Sequence, residues 1–160
     1  KGEANVHRIP ANGGPSKNVA QYDKWLGTGR WDVIHFNHGI HDLKVMPDGK
    51  RQVEPADYEK NLRAIVARLK QTGARLVFAT TTPIPPPPLE PDRSFGDVKE
   101  YNAIAVKVMK ELSIEVNDLY SAILPEFPRL HKPKDLHYTT EGSDFLAKKV
   151  AEQIAARLPQ

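Results

Sequence analysis

Along this chain the apolar positions change period several times, and each change marks the edge of an element. The short, partly β-branched run ANVHRI, Ala4 to Ile9, is closed by Pro10 and predicts a strand. ANGGP then turns the chain. From Ser16, a residue type suited to cap a helix, KNVAQYDKWL sets Val19, Tyr22 and Leu26 on one helical face, and Gly27 and Gly29 end it. WDVIHFN, Trp31 to Asn37, is apolar enough to be a strand inside a sheet.

The loop GIHDLKVMPDGKRQV leads into the clearest helix, PADYEKNLRAIVARLKQTG. Pro55 suits its first turn, Tyr58, Leu62, Ile65, Val66 and Leu69 form its apolar stripe, and Gly73 ends it. ARLVFATTT, Ala74 to Thr82, is a strand. It runs into PIPPPPLEPDRSFGD, which no regular element can use because proline lacks the N–H and fixes φ, so a rigid, extended surface loop is expected. A helix from about Asp97 to Leu112, a short strand at IEVND and a short helix at LYSAIL follow. After the irregular PEFPRLHKPKDLHY, a last helix runs from about Thr140 to Leu158. Strands alternating with helices point to an α/β layer with a parallel sheet, and neither an internal repeat nor a domain boundary interrupts the 160 residues. One domain is expected.

Composition narrows the function classes. The 39% hydrophobic and 27% charged fractions are those of an ordinary soluble globular protein. No apolar run approaches the ~18–20 residues of a membrane span. The net charge of +3 comes from 23 basic and 20 acidic residues mixed along the chain, so nucleic acid is not an expected partner. With no cysteine there is no disulfide, thiolate ligand or cysteine nucleophile. The chain begins KGEANVHRI without an initiator methionine or signal-peptide core, which predicts a processed or truncated chain. No compartment is indicated; a periplasmic or secreted location would follow from removal of a signal peptide.

In open parallel sheets the ligand crevice lies beyond the carboxyl ends of the strands. Asn12-Gly13-Gly14, NHGIHD and KDLH fall at or near such places. A glycine after a strand lets a backbone N–H approach a developing oxyanion, and Gly14, immediately before Pro15-Ser16, is the better choice over Gly13. His35, His38 and His41 recur at intervals of three, but one lies within a strand and two beyond it, so a metal site is not expected. His41 can instead offer a ring N–H to an oxyanion. His137, two residues after Asp135 and just before a helix, suits a general base whose tautomer the carboxylate sets, with Thr139 or Thr140 capping the helix that steadies the loop. No nucleophile accompanies it: of Ser16, Ser94, Ser113, Ser121 and Ser143 none sits in a G-x-S-x-G elbow, and Ser16 reads better as a cap.

Taken together, NGGPS, GIHD and KDLHYTTEGSDFLAKKVAEQI resemble the glycine block, the G-x-N-D block and the D-x-x-H block of the SGNH hydrolases, also called the GDSL esterase/lipase superfamily. WDVIHFNHGIHDL, VFATTTPIP and DLHYTTEGSDFLA are similar to a group of bacterial esterase-like proteins within it. The resemblance implies a flavodoxin-like three-layer α/β/α sandwich with a parallel sheet. It implies a serine esterase acting on short-chain acyl esters, carbohydrate acetyl esters among them, with no cofactor and no metal. His137 would be the base, Asp135 its orienting acid, and Gly14 and His41 the oxyanion donors.

The chain departs from that pattern in three ways. His41 stands where the family has asparagine, and Asp135 precedes His137 by two positions where the family has three, Lys134 occupying the usual place. The GDS block that carries the serine is absent, which implies that the first strand is missing. In the order 2-1-3-4-5 that strand would lie between ANVHRI and WDVIHFN, and its absence would expose strand edges for an N-terminal segment or a second copy of the chain to cover. The competing expectation is a non-catalytic, degenerate domain that binds carbohydrate or a protein partner, with PIPPPPLEP as an extended recognition segment.

Overall fold

The computed structural model describes residues 4–9 and 13–159; Ala11 and Asn12 of the expected ANGGP turn lie outside the described residues, as does Pro10 before it. Three parallel strands, β1 (Val33–Phe36), β2 (Arg75–Ala79) and β3 (Glu115–Asn117), form one sheet in that order. Val33 pairs with Arg75 and Phe36 with Phe78, while Val77 pairs with Glu115 and Ala79 with Asn117. Because side chains alternate along a strand, Leu76 and Phe78 face one layer and Val77 and Ala79 the other.

The first layer is made by α1 (Gln21–Leu26), α2 (Pro55–Lys70) and α3 (Val98–Glu111). The apolar stripe of α2 follows the helical period, so Tyr58, Leu62, Ile65, Val66 and Leu69 all reach the core, which they share with Leu76, Phe78, Tyr101, Ala105, Val108 and Met109. Full burial of one such side chain is worth about 1.5–3 kcal/mol. Asp97 starts α3 by accepting a hydrogen bond from Lys99 N at 2.8 Å. Against the other face lies α6 (Thr140–Ala155), in contact with β1 and β3; just beyond it Arg157 pairs with Glu115, and its carbonyl accepts from Arg75 Nη1 at 2.9 Å. The chain between β3 and α6 holds α4 (Leu119–Ile123), one 3-10 turn at Leu124–Glu126, and α5 (Phe127–Leu130).

The second layer is thinner than the first. Among the described residues α6 buries only Gly142, while Phe145, Leu146, Val150 and Ile154 are half-buried. On β1 only Phe36 is buried, whereas β2, paired on both sides, buries every residue but Arg75. The described part of β1 pairs with a strand on one edge alone.

Three expectations are corrected. Ala4–Ile9 is not a strand: among the described residues nothing offers its backbone a ladder partner, Val6 is 81% exposed, and His7 packs edge-on against Trp31 at 5.2 Å. Ser16 does not cap a helix, since α1 begins at Gln21 after an uncapped Ala20, and the Ser16 hydroxyl is engaged elsewhere. The proline-rich segment is not purely a surface loop, because Pro83, Pro85 and Leu89 are buried. Its end is zipped to the loop after β1: Val45 N donates to Ser94 O and Gly96 N to Leu43 O, both at 2.8 Å. The described residues contain no helix long and apolar enough to cross a membrane.

The loop after β1 passes the segment following β2 so closely that Gly39, at φ 152°, has no room for a side chain. A Cβ there would lie 2.1 Å from Thr81 Oγ1 and 3.2 Å from Thr81 Cβ. Gly39→Ala is therefore expected to lose about 1–3 kcal/mol in chemical denaturation. Adding Thr81→Ala, which removes the closer atom, should recover part of the loss.

Candidate active site

His137 sits on a loop closed at its base by ordinary backbone bonds. Thr139 N donates to Leu130 O at 2.8 Å, Lys132 N to His137 O at 2.9 Å, and Asp135 N to Lys132 O at 3.2 Å. Thr139 caps α6, its hydroxyl accepting from Gly142 N at 3.1 Å and donating to Leu130 O at 3.0 Å. Gly142 allows that closeness, since a Cβ would meet Leu130 O at 2.5 Å. His131 stacks on Phe127 at 4.4 Å, and Glu90 N donates to Lys134 O at 2.8 Å, docking the loop on the proline-rich segment.

Within this frame Lys134 takes φ 58°, and Asp135 then reaches back over the turn. Its Oδ1 lies 2.7 Å from His137 Nδ1 and accepts from His137 N at 3.2 Å. The two-residue spacing therefore brings the carboxylate and imidazole together. The hydrogen bond from His137 holds the Asp135 carboxyl below its ordinary range, so it stays ionised near neutrality. The His137 side chain is 75% exposed, and no hydrogen bond among the described residues engages its Nε2.

His137 lines a cavity of about 470 Å³ at the carboxyl ends of the strands. His41, from the loop after β1, lines it too, as do Thr80, Thr81 and Thr82 after β2. His137 and His41 thus share one crevice, and Asp135 stands behind His137. Gly14, at φ 66°, is not among the lining residues, but it is coupled to the same loop from behind. Two residues on, Ser16 is buried, and both its N and Oγ donate to Asp42 Oδ1, at 2.8 and 2.6 Å. Asp42 is fully buried directly after His41. Asn61 on α2 donates to Ser16 Oγ at 3.2 Å. One carboxylate therefore links the glycine turn to the loop that carries His41.

The neighbouring histidines are structural. The Tyr22 hydroxyl lies 2.6 Å from His38 Nε2, and Tyr58 donates to His38 O at 2.7 Å. Burial lowers the His38 pKa, while the Asp42 charge and a hydrogen bond with the Gly14 backbone pull the other way. Burial, and after it the Asp42 charge, holds Tyr22 and Tyr58 well above the ordinary phenol range. His35 accepts from Asn117 Nδ2 at 3.2 Å across the sheet, and burial followed by the Arg157 charge lowers its pKa. No group of three or more His, Cys, Asp or Glu side chains gathers among the described residues.

Sequence reasoning missed the Ser16–Asp42 link; the aspartate of GIHD was its only signal. It also missed Lys44 and Arg93, which line the cavity and carry no motif. No serine lines the cavity, and two of its threonine hydroxyls are in use: Thr80 donates to Asp118 at 3.0 Å, and Thr81 Oγ1 lies 3.3 Å from His38 O.

An open parallel α/β sheet with an Asp-supported histidine in the crevice beyond its strands is the architecture of the SGNH hydrolases. The GDSL-like lipase/acylhydrolase family profile matches residues 5–145, and the chain belongs to that family. Solved structures agree on the fold. A lipase/acylhydrolase from Enterococcus faecalis, 20% identical, superposes with a TM-score of 0.71 over 91% of this chain and 72% of its own. The acetyl xylan esterase AlAXEase, 18% identical, gives 0.72 over 90% and 78%. A GDSL-like lipase from Bacteroides thetaiotaomicron, 14% identical, gives 0.71 over 92% and 74%. No curated protein matches the sequence at a significant level.

Asp42→Ala should cost roughly 3 kcal/mol, because it strands two buried Ser16 donors, whereas Ser16→Ala should cost about 1 kcal/mol by removing one hydroxyl. Denaturant titration of both variants checks the order.

Proposed function

We propose that the crevice is the catalytic site of a serine ester hydrolase acting on short-chain acyl esters, carbohydrate acetyl esters among them. The observation that carries this reading is His137: its Nδ1 is held by Asp135 at 2.7 Å, and its exposed ring borders the cavity that His41 also lines. Membership of an acylhydrolase family supports the reaction class, and the acetyl xylan esterase among the similar structures supports the substrate class.

The serine oxygen attacks the ester carbonyl carbon and gives its proton to His137 Nε2. The tetrahedral oxyanion is met by the His41 ring N–H, while Gly14, outside the cavity lining, supports the loop that carries His41. His137 returns the proton to the departing alcohol as the acyl C–O bond breaks. Water then attacks the acyl-enzyme, its proton going by way of His137 to the serine oxygen, and the carboxylic acid leaves. Asp135 keeps the proton-bearing nitrogen toward itself and stabilises the imidazolium. Ser16 is not the nucleophile in this scheme, because its hydroxyl is buried and donates to Asp42. The serine is instead supplied by a segment preceding Lys1 that adds a strand to the open edge of β1.

The absence of a serine from the cavity lining favours a second reading, a degenerate domain that binds carbohydrate or a protein partner without turnover. Hydrolysis of 4-nitrophenyl acetate by a chain extended to include that segment separates the two. The esterase reading expects His137→Ala to lower kcat about 10³–10⁴-fold, Asp135→Asn to lower it by a similar order, and Ser16→Ala to keep hydrolysis. The melting temperature of His137→Ala should hardly move, because the side chain is 75% exposed. Turnover by the extended chain that survives His137→Ala would overturn the assignment.

A further inference from the structure

The charged lining of the cavity has one sign. Among the described residues Lys44 and Arg93 are its only formally charged ones, and neither aspartate nor glutamate lines it. Both cations are half-buried, and neither forms an ion pair among the described residues. Arg93 Nε is buried and has no hydrogen-bond partner. The nearby acids do not compensate them. Glu90 pairs with Lys134 at 2.9 Å, and Asp92, which lines a neighbouring depression together with Lys44 and Arg93 but not the cavity, forms no ion pair with either cation.

The fold holds these like charges together. Lys44 pairs with Phe95 in an antiparallel bridge, and the bonds from Val45 N to Ser94 O and from Gly96 N to Leu43 O fix the register. Arg93 is thereby brought beside Lys44 although nothing between them neutralises the charge. The guanidinium of a half-buried arginine matches the fork of a carboxylate, and an adjacent ammonium adds a point charge. Low-dielectric walls strengthen both.

We propose that Lys44 and Arg93 are the anion-recognition end of the catalytic cavity, so that the ester it takes carries a carboxylate group near the scissile bond. This deepens the esterase reading and rests on it for the reaction, though the anion preference can be measured without turnover. The carboxylate sits on the alcohol side, as in a uronic-acid-bearing carbohydrate ester, or on the acyl side, as in a hemisuccinate.

Isothermal titration of the chain with matched probes tests it. The alcohol-side pair is 4-acetoxybenzoate and its methyl ester; the acyl-side pair is phenyl hemisuccinate and its methyl ester. The anion of at least one pair should bind about tenfold or more tightly than its neutral partner, the scale of one charge-assisted hydrogen bond, and that pair identifies the side. Arg93→Gln and Lys44→Gln should each erode the preference, Arg93→Lys should retain part of it, and Lys24→Gln, at an exposed position of α1, should leave it intact. Circular dichroism confirms that each variant is folded. Equal binding of anion and neutral ester in both pairs, or a preference untouched by both glutamine variants, would overturn the proposal. Hydrolysis of neutral and anionic esters at equal kcat/KM by the extended chain would also overturn it while sparing the esterase reading. Failure of hydrolysis with the anion preference intact would sink the esterase reading and leave the anion site standing.

Discussion

A buried carboxylate, Asp42, ties together the parts of this molecule that come from distant stretches of chain. It is fully buried, and through Oδ1 it accepts two hydrogen bonds from Ser16. Those two bonds hold the glycine turn before Ser16 and the loop after β1 in one relative position, while the other carboxylate oxygen, Oδ2, is buried with no hydrogen-bond partner. His41 precedes Asp42 and Gly14 precedes Pro15-Ser16, which means that one interaction couples the glycine turn to the proposed oxyanion donor His41. Tyr22, Tyr58 and His38 are buried too, and near enough to feel the charge of that carboxylate.

The opposite side of the crevice is organised differently. There the His137 loop depends on backbone bonds and a helix cap instead of a buried charge. Thr139 holds the first turn of α6 to Leu130, and Gly142 lets the two approach. The imidazole remains exposed at the tip, where a reacting group can reach it, while Asp135 fixes its orientation from a neighbouring residue. Rigid support below and an accessible ring above suit proton transfer.

Burial falls off toward β1 and α6. β2 has strands on both sides and is nearly all buried, whereas β1 is largely half-buried and α6 buries only Gly142 among the described residues. The unevenness lies toward β1, the edge where the proposed strand would add its ladder. Ala4–Ile9, β-like in composition, has no strand pairing among the described residues, because β propensity is expressed only against a neighbour.

Periodicity alone determined the elements with a full apolar stripe or run. The α2 stripe, the α3 span with Asp97 at its start, and the central β2 strand were legible because their signals lie within one helical turn or one pleat. The motif order was legible too, and it placed His137 and Asp135 on one loop and His41 on another. Tertiary structure decided the rest. Ser16 and Asp42 are 26 positions apart, so the choice between capping a helix and binding a buried carboxylate could be made only once the two loops met. Lys44 and Arg93 carry no local pattern, and their proximity arises from a backbone bridge between remote segments. Local sequence encodes what a segment can form, but a polar side chain's role depends on which partner the fold brings within hydrogen-bonding distance.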